Sequence, residues 1–190
     1  MDGLDGCGKD SHALRIASVF SGAGQEVTIM SHPSRRTLGR LSKKSLEGSG
    51  PVARLFATIF YTADVLISVR WFKTHAKEGA EAVIFVRYLL GTAYLPEPLA
   101  PLGYRFFRKF LPFPDLAIFI DIDPDVAIRR IKARGLAREM FETRGKHERI
   151  RRVAKALTAE EWVVVDNSQD GEGPFRATEA IVRQHFSLPN

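Results

Sequence analysis

The sequence predicts an α/β protein, a doubly wound parallel sheet with helices on both faces, formed by a single domain over residues 1–190. Three observations support this fold class. Apolar segments without polar alternation recur along the chain, as is typical of strands buried on both faces of a parallel sheet. Segments with helical spacing separate them, and a glycine-rich turn stands directly before the first helix.

The elements follow one another in alternating order. Helical spacing over residues 13–20 follows the glycine-rich turn, and residues 26–30 form a short β-branched segment that ends shortly before Pro33. Pro51 and Gly79 bracket a long helix whose apolar residues recur every three or four positions. Three later strands are predicted at residues 82–86, 116–122 and 162–165.

One strand of this fold is expected to be short. The glycine-rich turn of such folds follows a strand in the middle of the sheet, but only Met1 and Asp2 precede the turn here. We therefore expect the central first strand to be truncated and the sheet to have a gap beside the turn.

Composition excludes several classes of protein. With 45% hydrophobic and 26% charged residues, the 190-residue chain has the composition of a globular protein and not of a disordered one. The single Cys7 excludes an internal disulfide, and the longest apolar runs fall far short of the roughly 20 residues that span a bilayer. We therefore expect a cytoplasmic protein without a membrane partner.

The positive charge is unevenly distributed. Lysine and arginine number 28 against 22 aspartates and glutamates, which gives a formal net charge of +6. The basic residues concentrate at 129–155, with a smaller group at 35–44. Such patches can meet a polyanion or a compact polyphosphate, and they can equally be solvated surface. Because no nucleic-acid-binding module accompanies them, we do not expect nucleic acid as a partner.

The glycine-rich turn is the segment that carries chemistry. It fits the pattern G-x-x-x-x-G-K, in which glycines let backbone N–H groups converge on phosphate oxygens and the lysine, Lys9, adds a mobile charge. The following helix contributes the positive end of its dipole. We expect ATP to bind here, through Gly3, Leu4, Asp5, Gly6, Cys7, Gly8, Lys9, Asp10 and Ser11.

Asp10 departs from this pattern. It stands where a serine or threonine hydroxyl normally holds Mg²⁺. Ser11 lies about 100° further round the helix and cannot take over that role. Asp10 is therefore the candidate Mg²⁺ ligand, and the alternative is a first-turn carboxylate that is favoured only by the helix dipole.

Further motifs follow the glycine-rich turn in order. They are HPSR at 32–35, VRY at 86–88, AY at 93–94, IDIDP at 120–124, RG at 134–135, REMFE at 138–142 and VDNS at 165–168. This ordered set resembles the thymidylate kinases, which are nucleoside monophosphate kinases of the P-loop class. The resemblance covers nearly the whole chain. It implies a five-stranded parallel sheet, a mobile lid, ATP with Mg²⁺ as donor and a nucleoside monophosphate, first of all dTMP, as acceptor.

The resemblance also implies roles for individual residues. The expected catalytic residues are Lys9, Arg87, Arg134 and Arg138, the last two in a basic lid at about residues 129–150. Taken singly, these two lid arginines could equally be surface charges beside acidic neighbours. The residues expected to bind the acceptor are Asp5, Arg35, Phe60, Asp64, Arg87 and Tyr94. Asp5 could equally stabilise the glycine-rich turn by bonding to the turn's own backbone. The family commonly pairs through its long helices, so a homodimer interface is expected at residues 51–79.

Three departures from the family pattern bear on the activity. Val86 replaces an acidic residue, Leu95 replaces a glutamine, and Asp64 replaces an arginine that meets a thymine carbonyl. An ionised carboxylate only accepts hydrogen bonds, so Asp64 favours a base with amino or imino protons, unless it pairs with Arg70 or another basic side chain. Three functions stay open: a kinase for dTMP or another nucleoside monophosphate, a degenerate relative that binds nucleotide without efficient transfer, and a nucleic-acid-binding protein.

Overall fold

The computed structural model describes residues 1–46, 48, 50–75, 81–135 and 144–189. Strands and helices alternate as predicted, and a short 3₁₀ helix, Leu90–Tyr94, follows the third strand. The strands are β1 (Asp2–Gly3), β2 (Glu26–Ser31), β3 (Glu81–Val86), β4 (Ile118–Asp121) and β5 (Val163–Asp166). The helices are α1 (Lys9–Gly22), α2 (Thr37–Leu46), α3 (Pro51–His75), α4 (Ala100–Phe110), α5 (Pro124–Ala133), α6 (Arg144–Thr158) and α7 (Gly173–Phe186). The predicted α/β fold class is confirmed.

The strands pair in parallel and form two groups. β2 pairs with β3, while β4 pairs with β1 on one side and with β5 on the other. Met1 joins the groups, because its amino group donates to the Phe85 carbonyl oxygen at 2.7 Å and its carbonyl oxygen accepts from the Arg87 amide at 3.2 Å. The strands thus stand in the order β2, β3, β1, β4, β5.

The centre of this sheet contains the expected gap. β1 has only two residues, and a cavity of about 430 Å³ lies beside Met1, between β3 and the chain that leads into β4. Phe20 from α1, Phe186 from α7 and Trp162 are among the apolar side chains that line it. Within the described ranges, no strand fills this space, so β3 contacts the central part of the sheet mainly at its carboxyl end.

Burial of the strands follows their place in the sheet. All four residues of β4 are buried, as its uninterrupted apolar sequence predicts. β5 stands at the edge instead, and Val163 and Val164 are 38% and 48% exposed. The prediction that this segment is buried on both faces is therefore wrong, because β-branched residues are also favoured in edge strands and apolar sequence alone does not distinguish the two positions.

The long helix α3 begins at Pro51 as predicted, while its predicted end at Gly79 lies outside the described residues. It packs against α2 and presents an exposed apolar stripe. The stripe consists of Val52, Leu55, Phe56, Ile59, Leu66 and Ile67. By length and composition alone, Leu55–His75 would suffice to cross a membrane. One such helix is weak evidence for a span, and α3 holds the fully buried Asp64 in its packed face.

Candidate active site

The glycine-rich turn leads from β1 into the amino terminus of α1. Gly6 and Gly8 adopt φ angles of 82° and 86°, which glycine tolerates and side-chain-bearing residues rarely adopt. A Cβ atom on Gly3 would lie 2.5 Å from the Ile120 carbonyl oxygen, so this position excludes a side chain as well. No side chain caps α1 at Gly8, which leaves its first amides available to an anion.

Asp5, in the glycine-rich turn, contacts residues that are expected to bind the acceptor. Its Oδ1 atom accepts hydrogen bonds from Lys9 Nζ at 3.4 Å and from Arg87 Nη2 at 3.3 Å, and its Oδ2 atom accepts from the Tyr94 hydroxyl at 3.1 Å. Arg87 Nη1 lies 3.5 Å from Asp10 Oδ1. Five residues predicted from widely separated parts of the sequence therefore converge in one cluster.

The cluster keeps its charges at neutral pH. Burial would raise the pKa of Asp5, but the positive charges of Lys9 and Arg87 outweigh it and hold that pKa well below its usual range. Burial would likewise lower the pKa of Arg87, but the carboxylates of Asp5 and Asp10 raise it. Asp5 and Arg87 therefore form a charged pair that persists across the physiological pH range.

Lys9 is folded back across the turn. Its side chain is 2% exposed, and Nζ donates to the Leu4 carbonyl oxygen at 2.9 Å as well as to Asp5. The ammonium group thus closes the turn from within. Phosphate oxygens entering the turn would offer this ammonium stronger, charged acceptors than the Leu4 carbonyl.

Two of the expected acceptor residues lie on the β2–α3 side of the site. Phe60 is half-buried and stacks on Phe56, with ring centroids 6.1 Å apart. Arg35 is exposed, and neighbouring Arg36 makes the contacts with α3, donating to the Asp64 carbonyl oxygen at 3.3 Å. Phe60 and Arg35 therefore remain accessible to a ligand.

Asp64 does not face an open site. Its carboxylate is fully buried and accepts hydrogen bonds from the Ser34 amide at 2.7 Å and the Ser34 hydroxyl at 2.6 Å. Arg36 Nη2 lies 3.3 Å from Asp64 Oδ1. Of the two alternatives for Asp64, the structure has the pairing with a basic side chain, although the partner is Arg36 and not Arg70. The sequence allowed this pairing but could not identify Ser34 and Arg36 as the partners, because they meet Asp64 only through tertiary packing.

The family assignment follows from comparison with known proteins. The model of the thymidylate kinase family matches residues 1–173. The chain belongs to the thymidylate kinase family. It is 32% identical over 189 residues to the thymidylate kinase of Xanthomonas euvesicatoria pv. vesicatoria (strain 85-10), an alignment that covers 96% of this chain and 81% of that protein. It is 27% identical to the probable thymidylate kinase of Archaeoglobus fulgidus, in an alignment that covers 99% of this chain and 95% of that protein.

The lid expected of a thymidylate kinase is only partly described. Arg134 is exposed at the end of α5 and does not join the cluster at Asp5, whereas Arg138 lies outside the described residues. Their catalytic roles therefore stay predictions. Several arginines near this stretch pair with carboxylates. Examples are Arg130 with Asp170 at 2.8 Å and Arg144 with Asp125 at 2.9 Å.

Sequence reasoning left three residues around the cluster without a role. The Tyr61 hydroxyl donates to the Arg87 carbonyl oxygen at 2.6 Å, and Asp2 accepts from the amides that follow Arg87. Asn167 Nδ2 donates to the Cys7 carbonyl oxygen at 2.7 Å and so ties the turn to the end of β5. Asp2 was detectable, because it directly precedes the turn. The sequence carries no comparable signal for Tyr61.

His12, in the first turn of α1 after the glycine-rich turn, is fully buried. Its Nδ1 atom lies 2.9 Å from the Thr178 hydroxyl, and that hydroxyl donates to the Pro174 carbonyl oxygen, so we assign the proton to Nδ1. The ring packs on Phe175 with centroids 4.4 Å apart. Burial lowers the pKa of His12 to about 4.

This buried histidine makes folding sensitive to acid. The pKa of His12 is about 6.5 in the unfolded chain. The stability that depends on neutral His12 is therefore fully present above pH 6.5 and is lost as the pH falls toward 4. At pH 5 we expect a loss of about 2 kcal/mol from His12. Urea unfolding at pH 7 and pH 5 should show a smaller difference in His12→Phe than in the parent. An unchanged difference would contradict the assignment, and His75→Phe, at an exposed position, is the control.

Proposed function

We propose that the protein transfers the γ-phosphoryl group of ATP to dTMP, producing dTDP and ADP. The observation that carries this proposal is the convergence on Asp5, where Lys9 from the phosphate turn meets Arg87 and Tyr94 from the segment after β3. A donor turn and an acceptor-side arginine thus share one carboxylate. Membership of the thymidylate kinase family, and similarity to proteins named thymidylate kinase, support the same reaction.

The residues of the cluster suit phosphoryl transfer. This reaction depends mainly on positioning and on neutralising charge along an in-line path. The amides at the start of α1 and the side chain of Lys9 would hold the outer phosphates of ATP. Arg87 lies beside them and would neutralise charge on the group in transfer, while Asp5 orients both cations and Tyr94.

Mg²⁺ fits the residues present. Among the described residues, no group of three or more histidine, cysteine or acidic side chains is arranged so that it could hold a metal ion. Mg²⁺ needs none when ATP supplies phosphate oxygens, because it keeps several waters and one or two carboxylates suffice. The Asp10 side chain is 55% exposed at the mouth of the turn and is the carboxylate we assign to this role. Mg²⁺ would supply neutralisation of the phosphate charge.

We propose dTMP as the acceptor, rather than a nucleoside monophosphate whose base offers amino protons. Asp64 motivated the alternative bases, and its carboxylate is occupied by Ser34 and Arg36. Phe60 can stack on a base of any kind, because every base presents a π face. We therefore base the choice of thymine on family membership together with the loss of the feature that argued against it.

A second candidate function is nucleotide binding without efficient transfer. The side chain of Val86 is fully buried in the core, so the position at which the family pattern has an acidic residue contributes no charge to the cluster. The carboxylate of Asp10, near Arg87, offers partial compensation. The two functions differ in whether the acceptor stimulates ADP release.

We expect dTMP to stimulate ADP release from ATP more strongly than dUMP, dCMP, CMP or dGMP. The measurement is a coupled ADP assay with Mg²⁺, run in parallel with calorimetric binding of ATP and of each acceptor. Preference for another acceptor would overturn the choice of thymine. Binding of ATP and dTMP without stimulated turnover would favour the degenerate relative, and absence of ATP binding would contradict both functions.

We also propose that the protein is a homodimer through α3. The exposed stripe with Ile59 at its centre is an apolar surface that would be stabilised by burial, and the same stripe on a second copy would bury it. Light scattering after size-exclusion chromatography should give the mass of a dimer, and Ile59→Glu should give a monomer. A monomeric parent protein would contradict this assembly.

We infer a cytoplasmic protein without a membrane or nucleic-acid partner. The single Cys7 is free and buried and cannot form an internal disulfide, which is the cysteine usage expected in a reducing compartment. Pairs such as Arg144 with Asp125 neutralise part of the basic stretch that would otherwise attract a polyanion.

A further inference from the structure

Arg87 has an unusual backbone conformation. Its φ angle is 56°, in the left-handed region that L-residues with side chains avoid. Strain of this kind persists only where the surroundings fix the backbone, and it is often found at functional positions. In this conformation, the Arg87 guanidinium lies 3.3 Å from Asp5 and 3.5 Å from Asp10.

Two contacts hold the peptide groups of Arg87 itself. Its amide donates to the Met1 carbonyl oxygen at 3.2 Å, and its carbonyl oxygen accepts from the Tyr61 hydroxyl at 2.6 Å. Burial raises the pKa of Tyr61, so the hydroxyl keeps its proton and remains a donor. Both ends of the strained residue are therefore anchored to separate parts of the chain, Met1 directly before β1 and Tyr61 in α3.

Asp2 holds the segment that follows Arg87. Its side chain is buried, and a single atom, Oδ2, accepts three hydrogen bonds from consecutive backbone amides. The donors are the amides of Tyr88 at 2.9 Å, Leu89 at 2.9 Å and Leu90 at 3.2 Å. One side-chain oxygen thus holds three consecutive amides of the chain directly after Arg87.

Asp2 is itself fixed by the sheet. It pairs with Phe119 in β4, and the next residue, Gly3, begins the phosphate-binding turn. The same residue thus fixes the start of the turn through its backbone and the Arg87 segment through its carboxylate. Any shift at Asp2 would alter the distance between Arg87 and the turn.

We propose that Asp2 is a positioning residue of the kinase, which keeps Arg87 in its left-handed conformation and aimed at Asp5 and Asp10. The inference rests on the proposed function, since Arg87 matters to turnover only if the protein transfers a phosphoryl group. Asp2 does not reach the reacting groups and acts through Arg87. This role belongs to the Asp2 carboxylate and does not involve ATP binding by the turn. Loss of the carboxylate should therefore affect turnover more than ATP binding.

Removing the carboxylate should lower kcat more than it changes the KM for ATP. A displacement of about 1 Å in a positioned group can cost about 100-fold in rate, so we expect about 100-fold in kcat for Asp2→Ala and about 10-fold for Asp2→Asn, which retains one oxygen acceptor. The KM for ATP should stay within about threefold. Equal losses in kcat and in ATP affinity would overturn the role.

A double-variant cycle tests whether Asp2 acts through Arg87. In an Arg87→Ala background, Asp2→Asn should change kcat by less than about twofold, because the group that it positions is already absent. Additive losses would overturn the inference. The control is Tyr104→Phe, which breaks the buried bond from Trp162 Nε1 to the Tyr104 hydroxyl at 2.8 Å and should lower the melting temperature without lowering kcat.

A stability measurement tests the same contact without turnover. Glycine tolerates a left-handed backbone better than alanine, so Arg87→Gly should melt about 2–4 °C above Arg87→Ala while Asp2 is present. In an Asp2→Ala background this advantage should disappear, because the segment can relax. An advantage that survives would overturn the inference. An inactive parent protein would contradict the proposed function alone, and the melting temperatures would still decide the role of Asp2.

Discussion

Replacing Lys9 by alanine is expected to lower kcat/KM for ATP by about 100- to 1,000-fold, as loss of a preorganised charge at a developing anion typically does. The reason is twofold. The ammonium is the only cation contributed by the turn itself, and it also neutralises part of the Asp5 charge, which Arg87 alone would then have to offset. Steady-state kinetics with varied ATP, together with calorimetric binding, measure the effect.

Two comparisons make the Lys9 result interpretable. Lys43→Ala removes an exposed lysine of α2 and should leave kcat/KM for ATP unchanged. The melting temperature of Lys9→Ala shows whether the loss of activity reflects unfolding, since Nζ also bonds to the Leu4 carbonyl oxygen. Unaltered ATP affinity and turnover in a folded Lys9→Ala protein would contradict the assignment of the turn as the ATP site.

Replacing Arg151 by methionine is expected to lower the free energy of unfolding by about 3 kcal/mol, as is typical when one partner of a buried ion pair is removed. Arg151 donates to both carboxylate oxygens of Asp121, at 2.7 and 2.8 Å, and the Asp121 side chain is 4% exposed. Lys155 Nζ remains 2.8 Å from Asp121, which keeps the loss at the lower end of the known range. Urea unfolding at pH 7 measures it.

The adjacent residue supplies a matched control for Arg151. Arg152→Met removes an arginine from the same helix whose contact with Glu97 is exposed on both sides, so the expected loss is less than about 1 kcal/mol. Burial would raise the pKa of Asp121, but its bonds with Arg151 and Lys155 lower it. The stabilisation is therefore complete above the usual aspartate pKa and is lost as the pH falls below it. Equal losses in the two variants at pH 7 would contradict the buried pair.

The fold was predictable where local sequence and tertiary position agree. The turn that ends in Lys9 requires glycines for its own geometry. The segment that forms β4 has apolar residues at successive positions, which predicts a strand buried on both faces. The long spacing pattern after Pro51 specifies a helix wherever it packs. β5 was mispredicted as buried because its edge position depends on the order of all five strands, and no single segment encodes that order.

The charged residues of the site were predictable, whereas the residues that position them were less so. Lys9 could be named because the glycine-rich pattern places a lysine beside bound phosphates, and Arg87 and Asp5 because their motifs resemble those of the thymidylate kinases. The true environment of Asp64 depends on Ser34, thirty positions away, and emerges only when α3 packs against the segment after β2. Tyr61 likewise looks like an ordinary helix residue until its hydroxyl meets Arg87.

The short central strand has a mechanical consequence. In the parts of the chain that the structure describes, the strand contacts between the β2–β3 pair and the β4–β5 pair pass through Met1, Asp2 and Gly3. Helix α1, which follows the glycine-rich turn, packs against β2 and β3 on one side and against α7 on the other. Both ends of the turn are therefore attached to elements that join the two halves, so a displacement of one half against the other would reach the turn from both of its ends.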